Sequence, residues 1–265
     1  MSTTGTGEQS QDRIRLPAPR LLRSEVLVVF AVSLGASGIS ALLSFLRAVT
    51  APERLSDQRT SITTQFAPGR PWLELLFQLV NVLLALAPVA LVIHLLHRSG
   101  ERLSDIGVDR REPRRDLARG AAIAAVIGAA GLLLYLGAYA LGVNRAVVPS
   151  NLPATWWRIP VEVLIAGQNG ILEEILVAGY LLRRLDQMGW RPSRALALSA
   201  VLRGSYHLYQ GAGGFVGNLI MGLILGRLYQ RWGRVAPLIV AHTLIDAVAL
   251  VGYTLLAGHL SWLPK

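Results

Sequence analysis

ILEEILVAGY, residues 171–180, sets two adjacent carboxylates, Glu173 and Glu174, inside a run that otherwise has the composition of a membrane-spanning helix. That run, 159–182, is one of seven apolar segments. The others are 25–46, 72–96, 117–142, 195–209, 213–230 and 235–257, most of them near the length needed to cross a bilayer. The 265 residues are 52% hydrophobic and 16% charged, with a mean hydropathy of +0.46. These values describe an all-α polytopic membrane protein of about seven spans rather than a soluble domain. Residues 1–22 read as a disordered cytoplasmic tail, and 23–265 as one integral membrane domain. The apolar run after the tail is too long for a signal-peptide core and lacks an obvious cleavage site, so it reads as a retained helix.

The net charge of +10 does not indicate nucleic acid, because the arginines lie in short clusters between apolar runs. Arg98 to Arg119, Arg183 to Arg194 and Arg227 to Arg234 fall on one side if seven spans begin with a cytoplasmic N-terminus. The 47–70 loop dissents, carrying four arginines with two acids on the opposite side. The chain has no cysteine, which excludes disulfides, thiolate metal sites and a cysteine nucleophile.

Ionisable groups in hydrocarbon are costly and normally face a bundle interior or a water-filled cavity. Counted from the flanking arginines at about 1.5 Å per residue, Glu174, His207, His242 and Asp246 lie at similar depth, about 12–20 Å. They come from three different spans. Arg203 and His207 are one helical turn apart, as are His242 and Asp246, so each pair shares a face. Glu173 and Glu174 are about 100° apart, so one can face a reacting centre while the other meets a neighbouring helix. Two carboxylates and two imidazoles can hold a water, take its proton and return it to a leaving group, or they can bind a divalent metal. A buried structural ion-pair network is the competing reading.

Three motifs, EEILVAG (173–179), RGSYH (203–207) and HTLID (242–246), resemble in order and spacing the CAAX protease and bacteriocin-processing (CPBP) family of intramembrane endopeptidases. The resemblance spans about residues 160–250. It implies a membrane-embedded endopeptidase in which Glu173 is the general base, Glu174 supports it, and His207 and His242 complete the site. Asp246 would orient His242 or the water, or stabilise an oxyanion. The resemblance also allows zinc or another divalent metal on His207, His242 and Glu173. The expected partners are a membrane-associated peptide or protein substrate and the lipid bilayer of a bacterial plasma membrane, with no nucleic acid. A non-proteolytic scaffold or a proton-coupled transporter is the alternative. Two positions depart from the family pattern: Ala178 stands where an arginine is usual, and Arg203 where a phenylalanine is. A relocated charge accounts for both, with Arg203 reaching across to pair with Glu174.

Other features carry less. Trp156 and Trp157 suggest an outer aromatic belt. Gly213, Gly217, Gly222 and Gly226 suggest close helix packing within the bundle. Glu162, Gln168 and Asn169 share a helix with the paired glutamates.

Overall fold

The computed structural model describes residues 18–256 and 259, so most of the expected tail lies outside the described residues. The tail boundary at residue 22 moves: helix α1 already begins at Pro19, where proline's fixed φ suits a first turn. The helices are α1 (Pro19–Ala31), α2 (Leu34–Val49), α3 (Pro71–Ala85), α4 (Ala87–Arg98), α5 (Pro113–Ala140), α6 (Arg158–Glu173), α7 (Leu182–Gln187), α8 (Pro192–Tyr206), α9 (Ala212–Trp232) and α10 (Ala236–Leu256). A π-helical segment, Glu174–Leu181, joins α6 to α7 without a break.

Four segments among the described residues are long and apolar enough to cross a membrane: Pro71–Arg98, α5, α9 and α10. The pair α1 and α2 makes a fifth, bent by 48°. Length and hydropathy therefore support four or five of the seven expected spans. The run through α6, the π segment and α7 is interrupted by Gln168, Asn169, Glu173 and Glu174, and α8 has only 15 residues. These two segments carry the paired glutamates and Arg203, and the π segment is wholly buried. By contrast only 11% of the apolar window of α5 is buried, leaving side chains such as Val126 and Leu133 on the lipid face.

The bend between α1 and α2 has a local cause. Ser33 turns its hydroxyl back to the Val29 carbonyl, and Gly35 lets the chain pass the Phe30 carbonyl, with which a Cβ would clash. Elsewhere α10 lies against α5 and α6, α8 runs along α9, and α2 covers α8. Small residues set these approaches, as the glycine spacing on α9 suggested: Gly213 and Gly217 face α5, while Gly222 and Gly226 face α8. Gly170 sits where α6 meets α10, and a Cβ there would lie 2.5 Å from Thr243 Oγ1 and 3.0 Å from the Thr243 nitrogen. Backbone cannot yield as a side-chain tip can, so Gly170→Ala is expected to destabilise the protein by about 1–3 kcal/mol in denaturant titrations in mixed micelles.

The arginine clusters gather at one end of the bundle. Arg234 donates to Asp109 and Asp116, and its loop pairs with the 106–107 backbone. Arg184, fully buried, donates to Glu25 at 2.9 Å, Glu101 at 2.6 Å, Gln187 and Ser99, tying α1, the α4–α5 loop and α7 together. At the other end a short parallel pair, β1 (Arg59–Ser61) with β2 (Ala146–Val148), joins the α2–α3 and α5–α6 loops. Trp156 is exposed, but Trp157 is buried against Leu152 and Val161, so only the first fits an aromatic belt.

The hydrogen bond from Arg234 holds the Asp109 carboxyl below its ordinary value of 3.8. A depressed folded-state value means the contact contributes at neutral pH and is lost as pH falls through that value. The melting temperature of the wild type should therefore drop more steeply below about pH 4 than that of Asp109→Asn.

Candidate active site

The π segment begins at Glu174, and all eight of its residues are buried. Hydrogen bonds to i+5 widen the helix there, and such turns are rare outside functional sites. The Ser199 hydroxyl on α8 donates to the Val177 carbonyl at 3.2 Å, giving one carbonyl of the widened turn an outside donor. The two glutamates thus stand at the junction of α6 with a differently wound helix, and they face different partners.

Glu174 is fully buried. Its Oε1 accepts from Arg203 Nη2 at 2.6 Å and from His242 Nδ1 at 2.8 Å. The charge pairing expected of Arg203 is therefore present, supplied from α8 rather than from Ala178, which packs in the apolar core. Because Nδ1 of His242 faces a carboxylate it carries the proton, and Nε2 turns towards Asp246 Oδ1 at 3.7 Å. Asn169 on α6 donates to the other Asp246 oxygen at 3.0 Å.

Glu173 has a different environment. Its Oε2 accepts from the Tyr206 hydroxyl at 2.6 Å and lies 3.5 Å from Arg203 Nη1 and 3.7 Å from His207 Nε2. Its side chain keeps 9% exposure while that of Glu174 has none. His207 stands just past the end of α8, where the chain tightens into the turn Leu208–Gln210. Gln210 Nε2 faces His207 Nδ1 at 3.5 Å, an arrangement that leaves Nδ1 as acceptor and Nε2–H as donor towards Glu173.

All six residues singled out in the sequence thus meet in one cluster. Two more belong to it. Tyr206, adjacent to His207, holds Glu173, a partnership hidden because adjacent helical residues ordinarily diverge. Asn169 lies one turn before Glu173 and supports Asp246. Glu162, by contrast, pairs with Arg158 at 3.0 Å and Thr254 at 2.6 Å, away from the cluster. Ser205 bonds the Leu202 carbonyl and takes no part.

The arrangement does not match the metal set expected of His207, His242 and Glu173. Among the described residues no three His, Cys, Asp or Glu side chains are disposed to hold a metal. The Arg203 guanidinium already supplies positive charge to both carboxylates, and Nδ1 of His242 is committed to Glu174.

A cavity of about 730 Å³ touches the cluster at Tyr206. It runs between α2 (Ser37, Ser40, Ser44) and the α3–α4 junction (Ala85, Pro88), and ends on Leu172, Tyr206 and Tyr209.

Residues 154–248 match a family model described as type II CAAX prenyl endopeptidase Rce1-like. No curated protein and no solved structure matches the chain. The matched segment contains every side chain of the cluster, in agreement with the resemblance carried by the three motifs. The chain is an all-α helical membrane protein whose residues 154–248 are similar to the Rce1-like family of type II CAAX prenyl endopeptidases.

Proposed function

We propose that the protein is an intramembrane endopeptidase that hydrolyses a peptide bond with a water activated by Glu173. The observation that carries this reading is the division of labour between the two carboxylates. Glu174 is neutralised by Arg203 and His242, whereas Glu173 stands 3.7 Å from His207 Nε2, a buried donor without a hydrogen-bond partner among the described residues, so a water beside the pair can meet both. In the reaction Glu173 takes a proton from that water as its oxygen adds to the scissile carbonyl carbon. The carbonyl oxygen becomes an oxyanion within reach of the His207 Nε2–H donor. Collapse breaks the C–N bond, and Glu173 returns the proton to the leaving amine. Arg203 and Tyr206 keep Glu173 ionised and aimed, and Asp246 with Asn169 keeps His242 oriented on Glu174.

The groove along α2 offers hydroxyls from Ser40 and Ser44, neither of which is bonded within the described structure. An extended segment of a membrane-associated peptide suits it, with its backbone meeting those hydroxyls. A prenylated C-terminus, as the family description names, is one such substrate.

The test is cleavage by purified, reconstituted protein of lipidated and unmodified C-terminal peptides in water enriched in ¹⁸O. One ¹⁸O in the new carboxyl group, in a single turnover and with no trapped acyl-enzyme, is the expected product. A parallel arm with a chelator and metal analysis distinguishes the metal-assisted variant, in which activity follows metal content. Absence of cleavage across the panel by a folded protein would favour the non-proteolytic reading.

A further inference from the structure

The 47–70 loop carries arginine on the side where the remaining loops are poor in it, and the structure gives those residues a common address. Arg47 in the last turn of α2, Arg59 at the start of β1 and Arg145 just before β2 line one cavity of about 410 Å³, far from the arginine-rich end. Glu53 and Asp57 line it too, yet among the described residues none of the three guanidinium groups forms an ion pair. Arg47 and Arg59 make no side-chain hydrogen bond at all. Arg145 bonds only carbonyl oxygens, of Tyr209 and Arg59, and its buried Nε has no partner.

Three cations against two anions leave a residual positive charge in a confined space. Burial, with the charge of Arg47 adding to it, holds the Arg145 guanidinium below its ordinary value. An anion in the cavity would relieve that strain, whereas a cation would add to it. The α2 carbonyl end, which would repel an anion, is partly covered: Gln58 Nε2 donates to Ala48 O at 2.8 Å. Exposed apolar residues lie close in sequence to these arginines: Leu46 and Val49 on either side of Arg47 in α2, and Leu141 four residues before Arg145. Guanidinium groups beside lipid-facing side chains mark the depth of the phosphate layer.

We propose that the cavity formed by Arg47, Arg59 and Arg145 binds a phosphate group, presented by the headgroup of an anionic phospholipid at the bilayer surface. The contact is charge-assisted, with the planar guanidinium forks suited to two oxygens of one phosphate. It would also touch the catalytic loop, because Arg145 donates to Tyr209 O and its backbone nitrogen to Gln210 O at 2.9 Å. The site is independent of the proteolytic reading and stands or falls without it.

The full chain in neutral detergent is titrated with short-chain phosphatidylglycerol, phosphatidylcholine or inorganic phosphate, with retained adducts followed by native mass spectrometry and melting temperature alongside. The double variant Arg47→Gln/Arg59→Gln is compared with a charge-matched control at the opposite end, Arg110→Gln/Arg114→Gln. Among the described residues neither side chain removed in the double variant makes a hydrogen bond or ion pair, so its ligand-free melting temperature should not fall below that of the wild type. Phosphatidylglycerol binding should weaken roughly tenfold or more in the double variant and stay unchanged in the control. Inorganic phosphate stabilising the wild type equally well, with the same loss in the double variant, would assign the site to a soluble phosphate instead. Equal binding by the double variant and the control, for both phosphatidylglycerol and phosphate, overturns the proposal. Should the double variant aggregate, Arg47→Gln and Arg59→Gln singly carry the same comparison.

Discussion

Glu173→Gln is expected to lower kcat for peptide cleavage by about 10²- to 10⁴-fold while leaving the protein folded. The amide keeps the size of the side chain and an oxygen that can accept from Tyr206, which bonds Glu173 at 2.6 Å. It cannot take a proton from water. Because Glu173 retains some exposure and only one short hydrogen bond, the stability change should be small beside the loss of rate. Cleavage assays on wild type and variant at matched substrate, with melting temperatures on the same samples, separate the two effects. Cleavage by the variant within twofold of wild type would remove Glu173 as the base. A similar loss in Tyr206→Phe, smaller in size and with KM little changed, is expected if the tyrosine only aims the carboxylate.

The second large effect falls on stability. Arg203→Leu should destabilise the protein by about 3–5 kcal/mol, because it strands Glu174 as a buried carboxylate held only by His242. The same substitution in a Glu174→Gln background should cost much less, since the charge left behind is then gone. Denaturant titrations of both single variants and the double variant in mixed micelles give the coupling directly. Additive losses would mean that the 2.6 Å contact is not an energetic pair. Arg203→Lys should lie between wild type and Arg203→Leu, because a point charge replaces a fork that reaches Glu174 and Glu173 together.

These two predictions rest on different kinds of information. The meeting of Glu174 with Arg203 and His242 was legible in sequence, because depth along a helix follows from counting residues from the flanking arginines. The substitution pair at Ala178 and Arg203 was legible for the same reason: a buried carboxylate needs a cation from somewhere, and one turn before His207 was the available place. The hold of Tyr206 on Glu173 was not. It depends on where α8 ends and on the winding of the segment after Glu173, and the residue pattern of ILVAGYL does not announce i+5 hydrogen bonding. The Arg184 network was equally hidden, since Glu101 and Glu25 lie 83 and 159 residues away in the chain. Seven apolar runs were read as seven spans, of which helix length and hydropathy support four or five among the described residues.

By itself, the sequence determined the solvent of this protein and the cast of its site. Twenty-residue apolar runs have no stable place in water, and ionisable groups at one depth have no stable place in lipid unless they meet. Only the tertiary structure decided which carboxylate is neutralised and which faces a histidine donor, and whether those ligand types converge as a metal set. It also drew Arg47 and Arg59 from one loop and Arg145 from another around one cavity. Those outcomes turn on ångström-scale approach between helices, set by glycines at crossings and by one rewound turn, which no count along the chain can supply.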